Sequence, residues 1–469
     1  MQSDATALAD AIRVGDLTAS EAMQASFQTA EHYASFGSIT HCDREKGVRA
    51  AADFDAAHNQ DAISDNVVFG GVPTLAKDLG GPFKGFPVRA GSQILPEGDG
   101  RPDSVLATRF RKAGFCPFGL STSPEFGLSL ASEPAIGPIC RNPLNPDLTP
   151  GGSSGGAAAA VAAGIVAIAH ATDAGGSIRV PAACCGLVGL KPGRGTIPGG
   201  PNFGNHLGGI ASELAVCRSV RDTQLIFDVL SGDVRGPSPP VKNAEIPTNS
   251  LRIGLLTGTG EAYPTSPERS AAVESAALLL ESDGHRIIPV KWERFRQPVD
   301  DSANIFAGLI NTNLAELAET SGLDFSRAEL ITQAAVERGQ SMSATDLWQL
   351  MNAMVLVSHV LWQLFEEIDC LLTPMLSSAP RTIGEFPTDH RDIDLHFHRM
   401  TSFAPLAALA NISGMPAITL PIDKDTNGLP LPIQLLAPMG CEKLLIALGL
   451  KLETDAQWHH RYQVAGLEQ

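Results

Sequence analysis

The sequence predicts an α/β fold in which a largely parallel sheet is covered by helices. Apolar runs of strand length recur along the chain, at 165–169, 252–256 and 286–290. Continuous runs of this kind are typical of strands that are buried on both faces. Stretches with helical character lie between and beyond them, at 103–113, 266–282 and 347–367. Buried strands that alternate with helices indicate a layered α/β architecture.

The elements follow in order from the N-terminus. Residues 5–34 carry apolar side chains at helical spacing, and Thr18 with Glu21 has the form of a capping box, so two helices are predicted there. From residue 67 the pattern changes to apolar runs broken by Gly and Pro. The Pro-, Gly-, Ser- and Asn-rich stretch 231–250 predicts an exposed linker, and the polar stretch 377–398 predicts irregular structure.

Composition excludes several classes of function. The 469 residues include 34 Lys and Arg against 51 Asp and Glu, a net charge of −17 that repels nucleic acids and anionic membranes. The N-terminus lacks the pattern of a secretory signal, and the longest small or apolar run, 157–169, is shorter than the roughly 20 residues that span a bilayer. The eight cysteines show no metal-binding spacing. We expect a cytoplasmic protein with reduced thiols, no metal and no cofactor.

Two glycine-flanked serines, Ser153 and Ser177, are the most informative feature. They lie in Thr-Pro-Gly-Gly-Ser-Ser-Gly-Gly (149–156) and Thr-Asp-Ala-Gly-Gly-Ser-Ile-Arg (172–179). Glycine has no Cβ to keep a substrate carbonyl away from the backbone. The two segments therefore predict a site where hydroxyls and amide N–H groups converge.

Three other interpretations of these glycines fit the sequence less well. A phosphate-binding P-loop requires a lysine that does not follow Gly156. A nucleophile elbow matches Gly151-x-Ser153-x-Gly155, but that motif requires an apolar strand before it, and three prolines occupy 142–150. Tight turns in a binding protein would explain one glycine cluster more easily than two.

Lys77 is the candidate base. It ends the apolar run 72–76, where loss of solvation would lower its pKa and leave it neutral. The alternative is an ordinary surface lysine, extended to solvent or paired with Asp78.

These motifs together resemble the amidase signature family of serine hydrolases. The resemblance includes Gly-Val-Pro-x-x-x-Lys-Asp at 71–78 and extends over nearly the whole chain, with further matches at 124–126, 371–374, 414–418 and 428–433. It implies one large α/β/α layered domain with a twisted central mixed, mostly parallel sheet and helices on both faces. Within 1–469, residues 1–60 would be a helical arm, 61–230 the catalytic core, and 251–469 a second half with pocket-forming helices and C-terminal strands.

The resemblance also implies a role for each site residue. Ser177 would be the nucleophile, Ser153 a bridging serine on a cis peptide, and Lys77 the general base. The backbone N–H groups of Ala174, Gly175, Gly176 and Ser177 would form the oxyanion hole. Ser154 would brace the relay, and Asp173 and Arg179 would order the turn around Ser177.

The implied activity is hydrolysis of a small-molecule amide through an acyl-enzyme, with linear or cyclic amides such as those of the 6-aminohexanoate cyclic-dimer hydrolases among the candidates. Two alternatives stay open: the glutaminase subunit of a tRNA-dependent amidotransferase, and an inactive amidase-like binding protein. A homodimer is a further implication of the resemblance.

Two departures from the commonest family pattern stand out. A second lysine, Lys84, follows the lysine motif, and 121–123 reads Ser-Thr-Ser where Thr-Asn is frequent, which puts substrate contacts near 121–127 in question.

The remaining histidines and cysteines have ordinary explanations. His390, His396 and His398 near Asp392 and Asp394 could suggest a metal, but solvated side chains in a polar loop are far commoner. His170, Cys184 and Cys185 are predicted to be packed core residues.

Overall fold

The computed structural model describes residues 3–60, 67–96, 98, 101–199, 206–235, 239–242, 244 and 249–467. The strands are β1 (Ile39–Cys42), β2 (Pro73–Lys77), β3 (Cys116–Ser121), β4 (Ile168–Asp173), β5 (Val188–Lys191), β6 (Ser212–Cys217), β7 (Arg252–Leu255), β8 (Arg286–Pro289), β9 (Cys370–Pro374), β10 (Ala417–Lys424) and β11 (Pro430–Leu436). The helices are α1 (Ala5–Val14), α2 (Ala19–His32), α3 (Arg44–His58), α4 (Val105–Lys112), α5 (Gly155–Ala162), α6 (Arg179–Cys185), α7 (His206–Gly209), α8 (Val220–Leu230), α9 (Pro267–Ser282), α10 (Arg296–Thr320), α11 (Leu330–Gln340), α12 (Ala344–Glu367), α13 (Ile393–Phe403), α14 (Ala407–Ser413) and α15 (Glu442–Ala456).

A large mixed sheet forms the centre, in the order β4-β6-β5-β10-β11-β9-β7-β8. The mixed α/β class is confirmed, but the expectation of a mostly parallel sheet is wrong. Of the seven neighbouring strand pairs described, only β7 with β8 and β7 with β9 are parallel. An apolar run reports that a strand is buried and says nothing about its direction. The short turn between β10 and β11, for example, forces those two strands to be antiparallel.

Helices pack against this sheet in two groups. Helix α15 contacts both α8 and α9, all three contact strands of the sheet, and α5 and α6 contact each other and the sheet. The long helix α10 packs against α11 and α12, and both α10 and α12 contact α14. This is a layered α/β/α arrangement with an added helical region.

A small second sheet, in the order β1-β3-β2, supports the site. Strand β2 is buried along its whole length, ends at Lys77 and contacts β4. The helices α1 and α2 precede it as predicted, and Thr18 with Glu21 forms the predicted capping box. The packing of β2 against β4 brings Lys77 next to the strand that leads into Ser177.

Several element boundaries differ from the sequence prediction. The run 165–169 enters the sheet only at Ile168, and α13 occupies the end of the stretch predicted to be irregular. Cys184 and Cys185 end α6, and all eight cysteines are unpaired. Within the predicted linker, residues 236–238, 243 and 245–248 lie outside the described residues. No helix in the described part of the chain combines the length and apolarity needed to cross a bilayer.

Candidate active site

Lys77 is buried at the end of β2, between two hydroxyl groups. Its Nζ donates to Ser153 Oγ and to Thr172 Oγ1, each at 2.8 Å. The side chain is only 1% exposed. Burial lowers the pKa of Lys77 from 10.5 to about 7, although Asp173, Glu213 and Asp78 oppose that shift. A large share of the molecules therefore carries a neutral amine at this position near pH 7.

The backbone N–H of Lys77 is held by the buried pair of His170 and Glu213. Its N–H donates to His170 Nδ1 at 3.2 Å, and His170 Nε2 lies 3.1 Å from Glu213 Oε1. Because Nδ1 accepts, the ring proton sits on Nε2 and is donated to Glu213. His170 is thus a core residue, as predicted, and it fixes the end of β2.

Ser153 lies in a loop that enters α5, and the Gly152–Ser153 peptide bond is cis. Ser132 holds this loop: its Oγ accepts from the N–H of Gly155 at 3.0 Å and lies 3.2 Å from the carbonyl oxygens of Gly151 and Ser153. A Cβ at Gly152 would lie 2.7 Å from the backbone nitrogen of Ala131, which explains the glycine there.

Ser154 points the other way, into the strand before the second serine. Its Oγ lies 3.2 Å from the carbonyl oxygen of Thr172 and accepts from the N–H of Thr172 at 3.3 Å. Ser154 therefore positions the backbone of the residue whose hydroxyl accepts from Lys77.

Ser177 follows β4 in a turn of small residues, and its side chain is 8% exposed. Its Oγ has no hydrogen bond to any residue that the structure describes. The turn requires glycine at two places: Gly176 has φ +119°, and a Cβ at Gly175 would lie 2.7 Å from the ring of Phe306. The nucleophile candidate is thus presented without a side-chain partner of its own.

Three of the four predicted oxyanion-hole donors are available. The N–H groups of Ala174, Gly175 and Ser177 have no hydrogen-bond acceptor within the described ranges. The fourth, the N–H of Gly176, already donates to Asp173 Oδ1 at 2.7 Å. A donor already bound to a carboxylate cannot stabilise an oxyanion at full strength.

A buried ion pair holds the Ser177 turn in place. Arg179 is fully buried and bonds Asp173 through Nε and Nη2, each at 3.0 Å. Gln434 accepts from Arg179 Nη1 at 2.7 Å, and Asn411 bonds both Arg179 and Asp173. Burial alone would raise the pKa of Asp173, but Arg179 holds it well below its usual range. Asp173 and Arg179 therefore order the turn, which is where the sequence placed them.

A cavity of about 640 Å³ opens over the two serines. Ser153, Thr172, Ala174 and Ser177 form part of its wall, and Lys77, which is not in the wall, contacts Ser153. The rest of the wall is mainly apolar, and Arg101 is its one charged member among the described residues. The other lining residues are Leu79, Gly80, Val88, Ala90, Leu95, Pro96, Gly98, Phe126, Gly127, Leu207, Ala211, Phe306, Ile310, Asn313, Leu314 and Leu317.

The segment 121–127, which departs from the commonest pattern, contributes only its end to the cavity. Phe126 and Gly127 line the wall. Thr122 Oγ1 instead donates to Gly37 O and Ser123 Oγ to Asp78 O. Thr122 and Ser123 therefore brace the framework behind the site, and Lys84 does not line the cavity.

The histidines of the second half lie apart from this site. His396 is buried on α13 with Nε2 2.6 Å from Leu128 O, and burial lowers its pKa to about 4. His398 contacts Ser402, and His390 contacts Arg399. In the described part of the chain, no group of three or more His, Cys, Asp or Glu side chains is arranged to hold a metal ion.

Sequence reasoning missed Thr172, Ser132, Asn411 and Gln434. One signal pointed to Thr172: it lies two residues after His170 on β4, so both side chains share one face of the strand. That is the face that contacts Lys77. Asn411 and Gln434 reach the site from more than 200 residues away in the chain, and no local pattern marks them.

Comparison with known proteins gives a consistent result. The Amidase family model matches residues 21–446. A protein of Mycobacterium tuberculosis named "Putative amidase AmiC" is 33% identical, with 97% of this chain and 95% of that protein covered. The 6-aminohexanoate-cyclic-dimer hydrolase of Paenarthrobacter ureafaciens is 31% identical with the same coverage. A solved structure of 6-aminohexanoate cyclic dimer hydrolase complexed with substrate superimposes with a TM-score of 0.88 at 29% identity, covering 98% of each chain.

Proposed function

The chain belongs to the amidase family and is an amide hydrolase, and we propose that it acts through an acyl-enzyme formed on Ser177. The observation that carries the proposal is the 2.8 Å contact between Lys77 Nζ and Ser153 Oγ, made by a lysine whose pKa is lowered to about 7. Ser153 and Ser177 border the same cavity. A neutral amine, a bridging hydroxyl and an unpartnered hydroxyl are the three groups that a proton relay requires.

In the proposed reaction, Ser177 Oγ turns toward Ser153 and attacks the amide carbonyl. Its proton passes to Ser153 Oγ, which passes its own proton to Lys77. The N–H groups of Ala174, Gly175 and Ser177 stabilise the oxyanion. Lys77 then returns the proton through Ser153 to the departing nitrogen, so that the C–N bond breaks and an ester on Ser177 is left. Water, deprotonated by the same relay, hydrolyses that ester to the acid.

The cavity supports a bulky, largely apolar amide as substrate. Aromatic and aliphatic side chains such as Phe126, Phe306 and Ile310 form most of its wall. Such a wall fits an extended carbon chain or ring, as in the cyclic or linear amides of aminohexanoate. Glutamine fits poorly, because its ammonium group would enter an apolar wall on which the described residues place no carboxylate.

Paired serine variants test the proposal. Ser177→Ala should abolish both amide turnover and labelling by a fluorophosphonate probe, because it removes the attacking oxygen. Ser212→Ala is the matched control, since Ser212 is 7% exposed, bonds Pro192 O and lies outside the cavity wall. It should keep both. Labelling of Ser177→Ala at another serine, with turnover retained, would contradict the proposal.

The substrate class is tested separately with wild-type enzyme. A panel of aliphatic, aryl and cyclic amides, with glutamine, is scored by released amine or ammonia. We expect kcat/KM to increase with the apolar size of the amide until the cavity is filled. Glutamine as the preferred substrate would contradict this part of the proposal and leave the acyl-enzyme untouched.

A further inference from the structure

The outer face of α12 presents large apolar side chains to solvent. Trp348 is 67% exposed, Val355 64%, Leu356 66% and Trp362 43%. The opposite face packs into the protein through Met354, Val357, Leu361, Leu364 and Phe365. A surface helix ordinarily carries polar groups on its outer face, and clustered exposed apolar groups mark an interaction site. The exposed side chains Trp348, Val355, Leu356, Val360 and Trp362 are called the α12 stripe below.

The spacing within the α12 stripe is regular. Trp348, Val355 and Trp362 recur at intervals of seven residues, and a seven-residue interval drifts by only about 20° per repeat around an α-helix. The three side chains therefore form one line. Trp348 and Trp362 are about 21 Å apart along the axis at 1.5 Å per residue.

We propose that the α12 stripe is the contact surface of a homodimer in which two copies of α12 pack antiparallel. A two-fold axis through Val355 relates position 348 of one copy to position 362 of the other. Each tryptophan at one end of the stripe then meets the tryptophan at the other end of its partner, and Val355 meets Val355. A surface that is complementary to itself in this way is what a two-fold dimer requires.

The charge distribution of α12 favours a second copy of the chain over a lipid surface as the binding partner. From 347 to 365 the helix contains no Lys, Arg, Asp or Glu, and the nearest charged residues, Asp346 and Glu366, are acidic. An anionic membrane would find no lysine or arginine on this face, where His359 is the one basic residue, and the net charge of −17 would repel it. The uncharged centre of the stripe is where two acidic copies can approach.

The area is sufficient for a specific contact. The five side chains expose on the order of 500 Å² per copy, so two copies would bury about 1,000 Å² from the stripe alone. The exposed polar residues Gln349, Asn352 and Gln363 lie on the same face. They would extend the contact beyond the roughly 1,000 Å² expected of a specific interface. Tryptophan is also the side chain most enriched at energetically dominant interface positions.

The molar mass in solution, measured on a matched pair of leucine variants, tests whether the α12 stripe is the dimer surface. Leu356→Glu should convert a dimer into a monomer in light scattering at micromolar concentration. Leu278→Glu should leave it dimeric, because Leu278 is equally exposed (65%) but lies on α9. Dimer affinity should rise with salt, which screens repulsion between acidic copies. A monomeric wild type, or a Leu356→Glu variant that stays dimeric, would overturn the proposal, and so would stripe-dependent binding of a monomer to neutral phosphatidylcholine vesicles.

Cross-linking tests the geometry in protein whose amidase activity shows that it is folded. The background is Cys42→Ser, since Cys42 is the one exposed cysteine of the eight. Val355→Cys should be joined to its copy by a short bismaleimide, whereas Leu278→Cys should not. Trp348→Cys and Trp362→Cys chains should cross-link when mixed and not separately. Cross-linking of Trp348→Cys to itself would instead show a parallel arrangement and refute the antiparallel one.

Discussion

Two buried lysines of this protein have similarly lowered pKa values but different surroundings. Lys77 and Lys191 are each 1% exposed, and burial lowers the pKa of each from 10.5 to about 7. Lys77 Nζ lies between Ser153 Oγ and Thr172 Oγ1, behind the cavity. Lys191 Nζ donates to the carbonyl oxygen of Pro192 at 2.6 Å. A lowered pKa thus reports burial, and only the hydroxyl partners make one of the two lysines a candidate base.

Replacing each lysine in turn should reveal the largest difference between the two, which is their effect on turnover. Lys77→Met should lower kcat by a factor of about 10²–10⁴, the usual contribution of a general base. Lys191→Met should keep turnover close to that of the wild type, because no proton path begins at Pro192 O. Steady-state kinetics on an aryl amide measures both. Equal losses in the two variants would show that burial of the charge, and not the relay, sets the rate.

Asp173 interacts electrostatically with both lysines. Its replacement should reduce stability more than the replacement of any single surface carboxylate. Asp173→Asn leaves Arg179 buried without its counter-charge, so the free energy of unfolding should fall by about 3–5 kcal/mol. The control is Asp394→Asn, which breaks an equally bidentate pair with Arg338 at the surface and should cost about 0–1 kcal/mol. Urea denaturation monitored by tryptophan fluorescence compares them. Similar losses would mean that the buried pair is not the framework of the Ser177 turn.

The two lysines should contribute alike to the pH dependence of stability. Their folded pKa values lie below the unfolded value, so between pH 7 and 10.5 the unfolded chain binds more protons. The free energy of unfolding should therefore rise with pH in that window, by up to about 1.4 kcal/mol per pH unit for each lysine. Urea titrations between pH 7 and 9.5 should show a shallower rise in Lys77→Met and in Lys191→Met. A slope unchanged in both variants would contradict the lowered pKa values.

The smallest effect on turnover is expected from removing Thr172, one of the two hydroxyl partners of Lys77. Thr172→Val removes one hydrogen bond to Nζ and leaves Ser153 in place, so kcat should fall about tenfold or less, in line with the loss of a single bond. Thr172→Ser should restore most of the rate. If Thr172→Val is as inactive as Lys77→Met, the hydroxyl of Thr172 rather than Ser153 carries the proton.

The sequence predicted the parts of this site that are local. Lys77 at the end of a buried run and Ser153 and Ser177 among glycines were recognisable, because strand burial and backbone approach leave a mark on neighbouring residues. Strand direction in the central sheet was mispredicted, since buried strands of either direction have the same apolar pattern. The hydrogen bond from the Gly176 N–H to Asp173 could not be predicted either, because it depends on how the turn folds. Asn411 and Gln434 depend on packing between distant segments and left no local signal.

The most direct test of the central claim is the pH dependence of Ser177 acylation by a neutral fluorophosphonate. If neutral Lys77 removes the proton through Ser153, the labelling rate should rise with pH to a plateau with a midpoint near 7. Lys191→Met should keep that midpoint, and Lys77→Met should lose the transition together with most of the rate. A midpoint near 7 that survives in Lys77→Met, or one that disappears in Lys191→Met, would contradict the assignment of Lys77 as the base.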